Sequence, residues 1–100
     1  MRQPRILTEV ELQQLHKEVH RSYEMDKYGN MVRKKPSKKG NWTVGTIDPE
    51  SGYLRICLLR RALYLHRVVW FLKTGVYPTG NVKFKDGNRT NVNFNNLVLG

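Results

Sequence analysis

Between residues 51 and 100 the chain holds one acid, Asp86, and one histidine, His66. Asp86 opens a stretch crowded with amides: Asn88, Asn91, Asn93, Asn95 and Asn96 follow it before Leu97. An imidazole near a carboxylate and side-chain amides is a donor set for hydrolysis. The imidazole can take a proton from water, while carboxylate and amide oxygens hold a divalent cation. For such a site His66, Asp86, Asn91 and Asn96 would have to supply base and ligands. A single acid over fifty residues makes a divalent-metal site hard to build. His16 and His20 lie four apart, a spacing that puts both on one helix face and can bind zinc. No Cys or carboxylate cluster offers them a third ligand, so they are read as facing solvent or a partner. No metal and no cofactor is expected. Cys57 is the only cysteine, which rules out an intramolecular disulfide and fits a reducing compartment. Set within GYLRICLL, it reads as a buried strand thiol.

The cations carry a stronger signal. The formal charge is +10 for 100 residues, and it is unevenly spread. Five of the eight acids lie between Glu9 and Asp26. Residues 27–40 carry six Lys or Arg and no acid, and residues 51–85 carry seven and no acid. This is the footprint of a protein that tracks a phosphate backbone and gains from counterion release. The contact candidates are Arg33, Lys34, Lys35, Lys38 and Lys39 in the first basic run. Arg55, Arg60 and Arg61 follow on strand and turn positions, then Lys83, Lys85 and Arg89 in the amide-rich stretch. The bland alternative for the first run is a solvated linker that happens to be basic.

These groups need elements to hold them. One hundred residues make one small domain with an extension. Arg2 to Ile6 reads as a loose arm without the apolar run of a signal peptide. Thr8 and Glu11 form a capping-box pair, with Leu7 and Leu12 as a staple. Leu12, Leu15, Val19 and Tyr23 then recur on one face of an amphipathic helix ending near Met25. That face, with His16 and His20, either packs on the domain or docks another protein. Lys27 to Gly40 is polar and punctuated by Gly and Pro, and is expected to be a loop or arm. Asn41–Asp48, Tyr53–Leu59 and Ala62–Leu65 read as three strands, with turns at 48–52 and at Arg60-Arg61. His66 to Thr74 reads as a short buried helix closed by Gly75, with Trp70 and Phe71 in the core rather than stacked on bases. Val82 and Phe84 alternate with Lys83 and Lys85 on a short strand, and Asp86-Gly87 turns the chain. The fold class is α+β. The expected divisions are an N-terminal helix (1–26), a basic loop (27–40) and a DNA-binding part (41–100).

The spacing Val-x-x-x-Asp-Gly-Asn-Arg-Thr-Asn, closed by Asn-Leu, resembles the HNH endonucleases of phages and mobile elements. Upstream blocks fit in order: Thr46-Ile47-Asp48, Gly52 to Ile56, Tyr64 to Phe71, and Thr74 to Pro78. The resemblance covers roughly 41–99, with weaker similarity back to about Met25. It implies a ββα-metal core and action on duplex DNA. It also implies a loss. The family usually has Asp-His or Asn-His after the Val, the His being the base and the preceding residue helping to hold the metal. Lys83 and Phe84 stand there instead. Asn96 matches the amide that usually orients that His, and His66 matches a position that supports structure near the site. The family's last metal ligand sits on a helix beyond the Asn-Leu pair, whereas this chain stops at Gly100, so the core is expected to be truncated.

The resemblance therefore implies a catalytically inactive, phage-encoded DNA-binding protein, with duplex DNA held by its phosphates and little sequence specificity. An alternative is an effector that engages a host DNA-processing enzyme through the N-terminal helix. A metal-dependent nicking enzyme with a rearranged site is the third reading. No stretch is apolar for long enough to span a membrane, and a cytoplasmic protein is expected.

Overall fold

The computed structural model describes residues 8–78 and 80–100; the expected arm at Arg2–Ile6 and the staple residue Leu7 lie outside them. Helix α1 runs from Glu9 to Ser22. The hydroxyl of Thr8 accepts from the Glu11 N–H at 3.2 Å, and the Glu11 carboxylate accepts from the Thr8 N–H at 3.0 Å, satisfying two end groups reciprocally. The helix ends before Met25. Tyr23 turns extended, and Tyr23–Met25 (β1) pairs antiparallel with Met31–Arg33 (β2). Tyr23 still joins Leu15 and Val19 in the core, as the spacing indicated, but from a strand. The basic segment is thus not all loop. Asp26 turns the chain by accepting the N–H groups of Tyr28 and Asn30, each at 2.9 Å, and Met31 is buried.

Strands Thr46–Ile47 (β3), Leu54–Leu58 (β4) and Arg61–Tyr64 (β5) form an antiparallel sheet in that order. The β3 strand is far shorter than the β-rich composition of 41–48 implied; Trp42 and Ile47 stay exposed. The turn at 48–52 is organised by buried Asp48, which accepts the Glu50 N–H and the Ser51 hydroxyl. The β4–β5 turn is Leu59-Arg60, not Arg60-Arg61, and both residues have positive φ (53° and 60°). Such a two-residue turn normally recruits Asn or Gly. Here the Glu18 carboxylate of α1 accepts the Leu59 N–H at 3.0 Å and pins the turn.

Register decides which side chains face out. Arg55 lies opposite Tyr64, Cys57 opposite Ala62, and Ile56 opposite Leu63. Period-2 alternation puts Ile56, Leu58 and Leu63 on the core face, while Tyr53, Arg55, Cys57 and Tyr64 take the other. Cys57 is exposed, which corrects the expectation of a buried thiol. An apolar neighbourhood in sequence said "strand"; only the register said which face.

Helix α2, Leu65–Thr74, follows β5 directly and ends at Gly75, whose left-handed φ of 79° lets its N–H reach the Phe71 carbonyl. Val82–Phe84 (β6) pairs antiparallel with Leu97–Leu99 (β7), framing the amide-rich loop. One apolar core joins Leu15 and Val19 of α1, Met31, Ile56, Val68 and Val69 of α2, and Val82 and Leu97. Phe71 is buried and Trp70 packs on Phe94 at 5.2 Å, so both serve the core as expected. Among the described residues two helices and small antiparallel sheets make the fold α+β, with β6–β7 standing where the hairpin of the expected ββα core belongs.

Candidate nucleic-acid site

The amides of the β6–β7 loop are engaged in holding the loop. The Asp86 carboxylate accepts three hydrogen bonds: from the Asn88 N–H at 2.8 Å, from Asn96 Nδ2 at 2.9 Å and from Asn91 Nδ2 at 3.0 Å. The Asn91 amide, the Asn88 N–H and the Asn96 amide together hold this carboxyl below the usual carboxylate range. Asn96 also accepts the Asp86 N–H and donates to the Asn91 carbonyl. Asn96, expected from the resemblance to orient an imidazole, is bonded instead to Asp86. Asn93 Nδ2 donates to the Tyr28 carbonyl at 2.8 Å and to Asn30 Oδ1 at 2.9 Å, while the Phe94 N–H reaches the Gly29 carbonyl. The loop is therefore tied to the β1–β2 turn, more than sixty residues away in sequence.

Beside this loop lies a cavity of about 480 Å³. Tyr53, Tyr64, His66 and Phe84 line it together with Lys83, Arg67 and Arg89. The rings touch one another: Phe84 to His66 at 4.9 Å, Tyr53 to His66 at 5.3 Å, and Tyr53 to Phe84 at 5.9 Å with planes 22° apart. Arg89 lies with its guanidinium 5.0 Å from the Tyr53 ring centre and donates to the Ser51 carbonyl at 2.7 Å. Arg67 donates to the carbonyls of Pro78 and Gly80, fixing the chain that leads into β6. His66 is buried, and its Nδ1 has no hydrogen-bond partner. Burial, with the neighbouring Arg67 charge, pushes its pKa down to about 4, so the ring is neutral at neutral pH. The sequence reading passed over Tyr53, Tyr64 and Arg67. The alternation that puts Tyr53 and Tyr64 on the outward face of the sheet was available as a signal.

The family implies a divalent metal here, and the residues present do not fit one. Lys83 brings a positive charge to the place where the resemblance expects a ligand, and Phe84 beside it offers no donor atom. The Asp86 carboxylate already receives the three bonds given above. Among the described residues no three His, Cys, Asp or Glu side chains gather as a metal-binding group. His66, the remaining imidazole at the site, is packed between rings rather than presented to water.

Lys34, Lys35, Lys38, Lys39, Arg60, Arg61, Lys83, Lys85 and Arg89 are exposed. Besides Arg89, several basic residues have structural partners. Arg33 donates to the Lys35 carbonyl and lies over the Tyr23 ring, and Lys34 donates to the His20 carbonyl at the end of α1. Arg61 pairs with Glu11, and Arg55 lies 3.9 Å from buried Asp48. Arg61 is thus a link between β5 and α1, because its strand position faces the helix. The helix face considered for a partner protein is mostly spent on the core, where Leu15 and Val19 are buried with Tyr23 of β1. Leu12 and His16 instead line a groove with Phe71 and Tyr77, and the His16 and His20 rings sit 4.3 Å apart.

Residues 63–100 match the family described as HNH endonuclease. The match spans β5, α2, β6, the amide-rich loop and β7, and it points to a DNA-related function. No curated protein and no solved structure matches the chain. No helix among the described residues is long and apolar enough to cross a membrane.

Proposed function

We propose that this HNH-type chain binds duplex DNA through the phosphate backbone and does not cut it. The observation that carries the reading is the presence of Lys83 and Phe84, neither able to serve as metal ligand or base, on the strand that enters the amide-rich loop. Lys83 and Phe84 stand on β6 where the resemblance expects the metal ligand and the base, and the loop that follows is built around Asp86 by its own amides. An ammonium at the metal position is suited to the phosphate that a metal would have held, and it needs no cation from solution. Lys85 and Arg89 extend the positive surface along the same hairpin, with Arg60 on the β4–β5 turn and Lys35, Lys38 and Lys39 beyond β2 as further contacts. Contacts of this kind position a protein on DNA while reading little sequence. The likeness to nucleases of phages and mobile elements makes a phage-encoded protein acting in the host cytoplasm part of the reading.

The test is anisotropy with one labelled duplex across a salt series, with and without magnesium, followed by a denaturing gel. The expected result is salt-sensitive binding, intact strands, and a Lys83→Asp variant that binds more weakly at low salt with the salt slope reduced by about 1. Magnesium-dependent cleavage, or a Lys83→Asp variant with unchanged affinity, would overturn it.

A further inference from the structure

A site for phosphate alone would be lined with donors, yet the cavity beside β6 is floored with rings. Tyr53, Tyr64 and Phe84 are half-buried, so each keeps part of its surface open. Lys83 and Arg89 stand at the same cavity, and both are exposed. We propose that this cavity receives a single nucleobase turned out of the DNA stack, with Tyr53, Tyr64 and Phe84 against the base and Lys83 and Arg89 on the flanking phosphates. This rests on the DNA-binding reading and names the part of the DNA that the site takes.

Three observations support it. The cavity, about 480 Å³, lies within the range of roughly 300–1,000 Å³ typical of small-molecule sites and has room for a nucleotide. Its chemistry is two-sided, with aromatic faces for a base and cations for a phosphate, the combination used by proteins that hold unpaired strands. Phe84 supplies the third argument. A phenyl ring where the family has its base cannot move a proton, but its face can pack on a base, and it lies nearly parallel to Tyr53. In a paired duplex the faces of the bases are covered by their neighbours. The open parts of the rings can take no base until one leaves the helix, and leaving costs least at an unpaired nucleotide. The cavity therefore selects DNA with a base already loose, and it does so without preferring one base, because every base has a π face.

The test compares a fully paired duplex with the same duplex carrying one unpaired nucleotide, both by anisotropy. The wild-type protein should bind the second roughly ten-fold more tightly. With 2-aminopurine at the unpaired position, its fluorescence should fall further on binding as it stacks on the rings. Tyr53→Leu and Phe84→Leu, which keep apolar volume so that β6 and the sheet still pack, should retain affinity for the paired duplex and lose the preference. Equal affinity for the two DNAs, or a preference that survives both substitutions, would overturn the inference while leaving duplex binding intact. Failure of the wild-type protein to bind either DNA would overturn the DNA-binding reading, and this inference with it.

Discussion

Asn93→Ala should loosen the attachment of the amide-rich loop to the N-terminal hairpin. The Asn93 side chain makes three hydrogen bonds: Nδ2 to the Tyr28 carbonyl at 2.8 Å, Nδ2 to Asn30 Oδ1 at 2.9 Å, and Oδ1 from the Asn95 N–H at 2.9 Å. The last also caps the 3₁₀ turn Phe94–Asn96 that leads into β7. At about 0.5–1.5 kcal/mol net for each bond, and with the side chain half-buried, removal should cost about 2–3 kcal/mol. For a domain of this size that is a fall in Tm of roughly 10–20 °C. Asn95→Ala is the internal control. Its side-chain amide reaches the Tyr28 carbonyl at 3.3 Å, a single long bond, and its loss should cost under about 1 kcal/mol. Gly29→Ala probes the same contact from the other side. A Cβ there would lie 2.8 Å from Asn93 Oδ1 and 2.9 Å from Asn95 Nδ2, at a φ of +90° that costs an alanine about 1–2 kcal/mol by itself. Because the clash is partly with Asn93, Gly29→Ala and Asn93→Ala together should be less destabilising than their sum. The assay is equilibrium urea unfolding of the wild type, the three single variants and the double variant, comparing midpoints at equal slope. The reasoning fails if Asn93→Ala lies within about 0.5 kcal/mol of wild type, or if it cannot be told from Asn95→Ala.

Two further outcomes follow from burial and register. His66 has a folded pKa near 4 because burial, then the Arg67 charge, disfavours its cation, against an ordinary value of 6.5. Stability should therefore be complete above about pH 6.5 and fall as pH drops toward 4, by up to about 3 kcal/mol, and His66→Gln should flatten urea midpoints across that window. Cys57 lies on the outward face of β4 and should react stoichiometrically with a thiol reagent in the native protein, without denaturant; protection until unfolding would contradict the β4–β5 register.

Local chemistry was legible where it acts within a few residues. The Thr8–Glu11 capping box, the α2 helix and its Gly75 cap, the turn at 48–52 and the Asp86-Gly87 turn all depend on near neighbours, and each was readable from residue types. The HNH frame was readable as ordered blocks, and the family match over residues 63–100 agrees with those from Tyr64 onward, while the blocks at 46–48 and 52–56 lie outside it. What failed were decisions between elements of similar local preference. Tyr23 satisfies a helical repeat and a strand equally well; pairing with Met31–Arg33 chose the strand. Trp42 and Ile47 look like core residues in a β-rich run, yet only Thr46 and Ile47 found a partner strand.

By itself, then, the sequence determined the charge, the helical and turn signals, and the presence of Lys83 and Phe84 where the resemblance expects a ligand and a base. These are properties of residue types and short spacings. Only the tertiary structure decided where the functional groups meet. Tyr53, Tyr64 and Phe84 come from a strand entry, a strand end and a different hairpin, and they share one cavity because α2 brings His66 between them. The same packing set Arg61 against Glu11 and left Lys83 exposed. It also set the Asn93 amide against a turn formed sixty residues earlier. Those outcomes depend on register and long-range closure, which no local pattern encodes: shifting a strand by one residue would send each of these side chains to the opposite face.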